Sequence, residues 1–270
     1  MADNRPIGFF DSGLGGLTCI PHLQKALPCE SVIYYGDTAR TPYGSKSPET
    51  IKKYAFQIAD YLMNSNVKMI VIACNTISAV ALDDLRERHP EVPIIGIIDP
   101  MVYSLTHTEF EPVNIGLLGT RVTIESGTYE KLIARKSSNI HLYGKACPLF
   151  VPVIEEGFKD DAAINSIIRF YLDDFIKENN IKKLILGCTH YPFLIKNLKS
   201  LYPNIEFLNP SEVVVEYIEK VLRERDEFAD SPSPIHTCFA SDLSTGFINV
   251  VDRIFPDGQD ININFKRFEG

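Results

Sequence analysis

The chain repeats itself, and the repeat limits what it can fold into. Tyr61–Thr76 (YLMNSNVKMIVIACNT) aligns with Phe175–His190 (FIKENNIKKLILGCTH) at a shift of 114, which sets Asn66 on Asn180, Val67 on Ile181, Lys68 on Lys182 and Cys74 on Cys188. Upstream, Ile7-Gly8-Phe9-Phe10 answers Ile115-Gly116-Leu117-Leu118 at a shift of 108, and Tyr35-Gly36 answers Tyr143-Gly144 at the same shift. Downstream, Arg88-His89-Pro90 through Asp99-Pro100 answers Leu201-Tyr202-Pro203 through Asn209-Pro210. Single matches between apolar strands arise by chance. An ordered series that also shares a cysteine requires two copies of one supersecondary unit.

The units are α/β. Ile7–Phe10, Val32–Tyr35, Met69–Ala73, Ile94–Ile98, Ile115–Leu118, Lys183–Leu186 and Ile205–Leu208 are short, apolar and β-branched, as parallel strands covered on both faces are. Between them run helical patterns: one opens on Ser47-Pro48-Glu49 with an N-cap and an N1 proline and continues to Leu62, another covers Asp160 to Lys177, and a third Ser211 to Arg225. Strands alternating with helices mean βαβ units and mainly parallel sheets. The expected division is a first lobe of residues 1–99 plus 210–270 and a second of residues 100–209, with a cleft between two pseudo-symmetric halves. Residues 210–270, with a Ser231-Pro232-Ser233-Pro234 break before a final strand–helix–strand pattern, are too few to stand alone and complete a lobe.

Composition removes several classes of function. The 27 Lys and Arg against 35 Asp and Glu leave a net charge of −8, which argues against nucleic acid as the primary partner. No apolar run reaches the ~18 residues that cross a bilayer, and residues 1–6 lack a secretory pattern, so a cytoplasmic protein without a membrane partner is expected. The six cysteines are scattered and read as free thiols. Both repeated cysteines end a buried strand and precede a helix, in Ala73-Cys74-Asn75-Thr76 and Gly187-Cys188-Thr189-His190. Ligands of open α/β sheets bind there, and a helix N-terminus lowers a thiol's pKa. A lone cysteine at such a place is an inert core thiol. Two equivalent ones on facing halves put two sulfurs across one cleft.

Asp11-Ser12-Gly13 after the first strand reads as a tight turn. It fits neither a P-loop nor a dinucleotide loop, and its carboxylate suits an amine or a neighbouring proton. His190, two residues after Cys188, is a proton partner for the thiol; no cluster supplies the three or four ligands that zinc needs, so no metal is expected. Thr41-Pro42-Tyr43-Gly44 is by itself a turn, and Glu155 by itself a solvated charge.

Taken together, Asp11-Ser12-Gly13-Leu14-Gly15-Gly16-Leu17, Asp37-Thr38-Ala39-Arg40-Thr41-Pro42-Tyr43-Gly44, Ala73-Cys74-Asn75-Thr76, Leu186-Gly187-Cys188-Thr189-His190-Tyr191-Pro192 and Pro148-Leu149-Phe150-Val151-Pro152 through Glu155-Glu156-Gly157 resemble the glutamate racemases of the aspartate/glutamate racemase superfamily. The match runs in order from residue 6 to 210, and the last 60 residues carry little of it. Asp99-Pro100 departs from the Glu-Pro of many members, outside the motifs that carry chemistry. The resemblance implies Cys74 and Cys188 as acid/base thiols, with Cys74 taking the proton from D-glutamate and Cys188 from L-glutamate. It makes Asp11 and His190 their supports. Ser12, Tyr43, Gly44, Asn75, Thr76 and Thr189 would bind the amino acid, with Thr120 and Glu155 lining the site. It further implies a homodimer that needs no cofactor and supplies D-glutamate for peptidoglycan. The rival readings are an aspartate or related racemase, a thiol–disulfide switch between Cys74 and Cys188, and a two-lobed amino-acid-binding protein.

Overall fold

A computed structural model describes residues 2–158, 161–243, 245–255 and 261–268. The elements are β1 (Ile7–Asp11), α1 (Cys19–Ala26), β2 (Val32–Gly36), α2 (Pro48–Asn64), β3 (Met69–Ile72), α3 (Asn75–Arg88), β4 (Ile94–Gly96), α4 (Ile98–Thr108), β5 (Val113–Gly119), α5 (Arg121–Glu125), α6 (Thr128–Ala134), β6 (Ile140–Ala146), α7 (Phe150–Glu155), α8 (Asp161–Glu178), β7 (Lys183–Gly187), α9 (Ile195–Leu201), β8 (Glu206–Leu208), α10 (Pro210–Arg225), β9 (His236–Ala240), α11 (Thr245–Ile254) and β10 (Asn262–Phe265). They form two sheets, β10-β9-β2-β1-β3-β4 and β6-β5-β7-β8, in which every neighbouring pair is parallel.

The order β2-β1-β3-β4 is the order β6-β5-β7-β8 again, so the repeated sequence is a repeated topology. Phe10 faces Ile72 across β1–β3, and Leu118 faces Leu186 across β5–β7, which keeps the shifts of 108 and 114. Asn66 and Asn180 both take left-handed φ, +56° and +46°, just beyond a helix end. Asn is the non-glycine residue that accepts this conformation most readily, so the matched asparagines do matched work.

One match does not survive. Phe10 pairs with Tyr35, whereas its counterpart Leu118 pairs with Lys145, so β2 maps onto β6 at a shift of 110, not 108. Tyr143-Gly144 is two residues out of register with Tyr35-Gly36. A slip of two keeps each side chain on its own face, which is why the false alignment looked sound. The run Ile94–Ile98 is strand only to Gly96, and Ile98 opens α4, because a buried helix start is as apolar as a buried strand. The helix expected from Asp160 runs from Asp161 to Glu178; Asp160 lies outside the described residues. β6 carries no continuous apolar run because it is an edge strand, mostly half-buried or exposed.

Packing follows pattern. On α2, Ser47 caps the N-terminus by accepting from the Thr50 amide, and Ile51, Ala55, Ile58, Ala59 and Leu62 form one buried stripe against the first sheet. Each large aliphatic there contributes about 1.5–3 kcal/mol by leaving water. A second apolar cluster covers the outer face of the other sheet through α7, α8 and α9. The largest joins both sheets, with Ile20 and Leu23 of α1, Met101 and Leu105 of α4 and Ile218 and Leu222 of α10 packed between Phe9 and Leu117. The lobes therefore share one core. Their strand ends are held facing each other by it.

Candidate active site

Cys74 follows β3 and occupies the N-cap position of α3, while Cys188 follows β7. Both are free thiols, buried to 5% and 7% exposure. The helix expected directly after Cys188 comes later: a 3₁₀ turn, Tyr191–Leu194, with Pro192 in its first positions, precedes α9.

The turn after β1 lies between the two cysteines. Cys74 Sγ donates to Ser12 Oγ at 3.4 Å, and Ser12 Oγ donates to Asp11 Oδ1 at 3.4 Å. Asp11 is fully buried, and its carboxylate accepts from the amides of Ser12 (2.8 Å) and Gly16 (2.7 Å). Its Oδ2 also accepts from Thr189 Oγ1, beside Cys188, at 3.2 Å. A continuous polar chain thus runs from one thiol to the neighbour of the other. Glycine is required where the turn meets the second lobe: a Cβ on Gly15 would lie 2.4 Å from Thr189 Oγ1 and 2.8 Å from the Thr189 carbonyl carbon.

The thiols have different surroundings. Burial, together with the Asp11 charge, pushes the Cys74 thiol well above its usual range, against the opposing Ser12 hydrogen bond. The expectation that a helix N-terminus would lower it fails here, because desolvation and a nearby carboxylate outweigh the helix. His190 is buried, and burial pulls the imidazole down. Its contacts with Cys188 and Glu155 outweigh this and push it up to about 10. Glu155 Oε1 stands 3.0 Å from His190 Nε2, off the line of a good hydrogen bond. Cys188 therefore has a cation for a neighbour and Cys74 an anion.

The expected binding residues gather at the same strand ends. Thr76 on α3 and Thr120 at the N-cap of α5 meet across the lobes, Oγ1 to Oγ1 at 2.9 Å. A Cβ on Gly44 would lie 2.6 Å from Thr120 Cβ, so the Tyr43-Gly44 turn presses on the same point. Tyr43 donates its hydroxyl to Asp37, a fully buried carboxylate that also accepts from Arg40 Nε at 2.6 Å and Ser241 Oγ at 2.8 Å.

Three residues that sequence reasoning passed over belong here. Thr123 closes a triangle of hydroxyls, 3.0 Å from Thr120 and 3.3 Å from Thr76. Its signal was the N-cap spacing from Thr120, whose Oγ1 accepts the Thr123 amide. Tyr129 on α6, fully buried, donates to Asn75 Oδ1 at 2.7 Å. Asp37 follows β2 and opens the Asp37–Gly44 motif, in which the sequence singles out only Tyr43 and Gly44. Among the described residues, no group of three His, Cys, Asp or Glu side chains is arranged to hold a metal ion, and no helix is long and apolar enough to cross a membrane.

Comparison with known proteins shows the family. The model of the Asp/Glu/hydantoin racemase family matches residues 18–218. The chain is 44% identical to the glutamate racemase of Sulfurihydrogenibium sp. over 217 residues, 80% of this chain and 82% of that one. It is 38% identical to that of Geobacter metallireducens over 254 residues, 92% of each. The crystal structure of Francisella tularensis glutamate racemase with D-glutamate superposes with a TM-score of 0.90 at 36% identity, covering 99% of this chain and 98% of that one. The chain belongs to the Asp/Glu/hydantoin racemase family and, within it, to the glutamate racemases.

Proposed function

We propose that this protein interconverts L- and D-glutamate by moving a proton between the two faces of Cα with Cys74 and Cys188, without a cofactor. The observation that carries this reading is the polar chain Cys74–Ser12–Asp11–Thr189, which ties the two strand ends into one buried site. For L-glutamate, the Cys188 thiolate, paired with the His190 imidazolium, takes the α-proton: a C–H bond breaks and an S–H bond forms. The carbon left with the electron pair then receives the proton of the Cys74 thiol on its opposite face, and Cys74 becomes the thiolate. The surroundings favour this assignment, since Cys74 is held as a thiol and Cys188 sits beside a cation. In the reverse direction the roles exchange: the Cys74 thiolate, supported by the Ser12 hydroxyl, takes the α-proton of D-glutamate, and the Cys188 thiol gives its own to the opposite face.

An α-proton of an amino acid is very weakly acidic, so charge on the carbanion and its carboxylate must be met by fixed donors in a dry site. Asn75, the threonines 76, 120 and 189, and the Tyr43-Gly44 turn serve that role, and Glu155 restrains His190. The chain divides into lobes of 1–99 with 210–270 and of 100–209, and it acts as a cytoplasmic homodimer that supplies D-glutamate for peptidoglycan.

The test is the origin of the product's α-hydrogen. With either enantiomer in D2O at low conversion, a two-thiol enzyme delivers a solvent-exchanged proton, so the first product carries deuterium while recovered substrate stays mostly protiated. Mass spectrometry on the separated enantiomers reads this directly. Substantial protium in the first-formed product would end the two-thiol mechanism, and no turnover of glutamate would end the substrate assignment.

A further inference from the structure

A second cavity of about 730 Å³ lies behind the Tyr43 turn, between the Asp37–Arg40 turn, α2 and the segment that follows β10. That volume is within the range of small-molecule sites. Its walls carry Arg40, Lys53, Lys266 and Arg267 against one carboxylate, Asp37. Asp37 is already occupied by Arg40, Tyr43 and Ser241. Lys53, Lys266 and Arg267 have no ion-pair partner among the described residues, so three positive charges stand unmatched around one hollow in a chain of net charge −8.

Arg40 is the wall's most constrained member. Its Nε binds Asp37, its Nη1 donates to Gln57 Oε1 at 2.5 Å, and its guanidinium lies over the Tyr54 ring at 4.0 Å. Its Nη2 is buried and lacks a hydrogen-bond partner among the described residues, which leaves a donor unspent. The segment bearing the other cations is also tied down. Phe268 stacks on Tyr35 with ring centres 4.9 Å apart, Tyr35 donates its hydroxyl to the Lys266 carbonyl at 2.9 Å, and the Lys266 amide donates to Ala240 at 2.9 Å.

We propose that this cavity is a binding site for a small phosphate monoester carrying an aromatic or apolar group, and that its occupancy reaches Tyr43 through Arg40 and Asp37. A compact dianion suits one guanidinium fork and several point charges, whereas a monocarboxylate would leave most of that charge unanswered. Tyr54, Phe265 and Phe268 supply the flat apolar wall for the rest of the ligand. A phosphate held by Lys53, Lys266 and Arg267 packs against Arg40 and keeps it on Asp37, and Asp37 in turn holds the Tyr43 hydroxyl, so the turn facing the substrate is organised before substrate arrives. The transmission rests on the racemase reading; the binding does not.

Calorimetry at constant ionic strength, with phenyl phosphate, inorganic phosphate and sulfate as probes, tests the site without reference to activity. Phenyl phosphate should bind one per chain and about tenfold more tightly than inorganic phosphate, a gap of about 1.4 kcal/mol. K266Q/R267Q should weaken it at least about tenfold while unliganded turnover and the circular dichroism spectrum stay as they were. Equal affinity for phenyl phosphate and sulfate, or unchanged affinity in the double variant, overturns the site. Saturating phenyl phosphate should then lower KM for glutamate about fivefold with kcat unchanged, the low end of ordinary coupling between sites. Binding without any change in KM overturns the transmission while leaving the site standing.

Discussion

Asn75 is held at its side-chain amide by a buried tyrosine. Its Oδ1 is taken by the Tyr129 hydroxyl, and its Nδ2 is buried without a partner among the described residues. The phenol is buried and held far above its ordinary pKa, so it stays protonated and acts as a donor. With the phenol donating to Oδ1, a flip would cost that hydroxyl its acceptor, and the unspent N–H is left for an anion beside Cys74. A substrate carboxylate matches that need. Tyr129→Phe frees the amide, and glutamate KM should rise about tenfold, the loss of one hydrogen bond of about 1.4 kcal/mol, with kcat changed less. An unchanged KM would make Tyr129 a packing residue only. At this scale the sequence marked Cys74, Cys188, Asp11 and His190 because strand-end position and residue type coincide in each. Thr123 and Tyr129 escaped, since a threonine inside a short helix and a tyrosine on α6 look like ordinary helix residues until the second lobe's contacts with Thr76 and Asn75 are seen.

Among the elements, the turn from Ser12 to Gly16 has the most demanding position, because it is attached to β1 yet touches Thr189 and His190 of the other lobe. Its glycines serve close approach: a methyl group on Gly15 cannot coexist with the Thr189 hydroxyl and backbone where they stand. In Gly15→Ala the lobes must part by a fraction of an ångström to an ångström. Activity should then fall about 100-fold, since misplacement on that scale breaks the alignment of reacting groups. The urea midpoint should fall as well, by the equivalent of about 1–3 kcal/mol, because the clash works against the core that the lobes share. A variant with normal kcat/KM would show that the lobes do not need this closure. Strand order was legible at this scale, because the repeat imposed the same topology twice. The register of β6 was not, since an edge strand has no apolar run to anchor an alignment and a slip of two costs it no change of face.

Across the whole molecule, a buried ion pair fastens the connection after α10 to the first lobe. Lys68 Nζ lies 2.7 Å from Glu30 Oε2 and donates to the carbonyls of Asp3 and Glu227, also at 2.7 Å, while Glu30 Oε1 accepts from the Ala229 amide at 2.8 Å. Both side chains are almost fully buried. Lys68→Met strands the Glu30 charge and should cost about 3–5 kcal/mol in chemical denaturation, and the double change with Glu30→Leu should recover part of it. A loss below about 1 kcal/mol would mean that water reaches Glu30 once Lys68 is gone. The sequence by itself determined the two α/β units, their parallel sheets and the pair of strand-end cysteines. These follow from local periodicity and from a repeat, and both are carried by the order of residues along the chain. Only the tertiary structure decided that Asp11 spans both strand ends, that Cys74 has an anion for a neighbour and Cys188 a cation, and that Arg40 and the segment after β10 enclose a second cavity. Those features depend on which groups far apart in the chain lose water together, and desolvation is set by the packing of the lobes, not by the spacing of residues along either one.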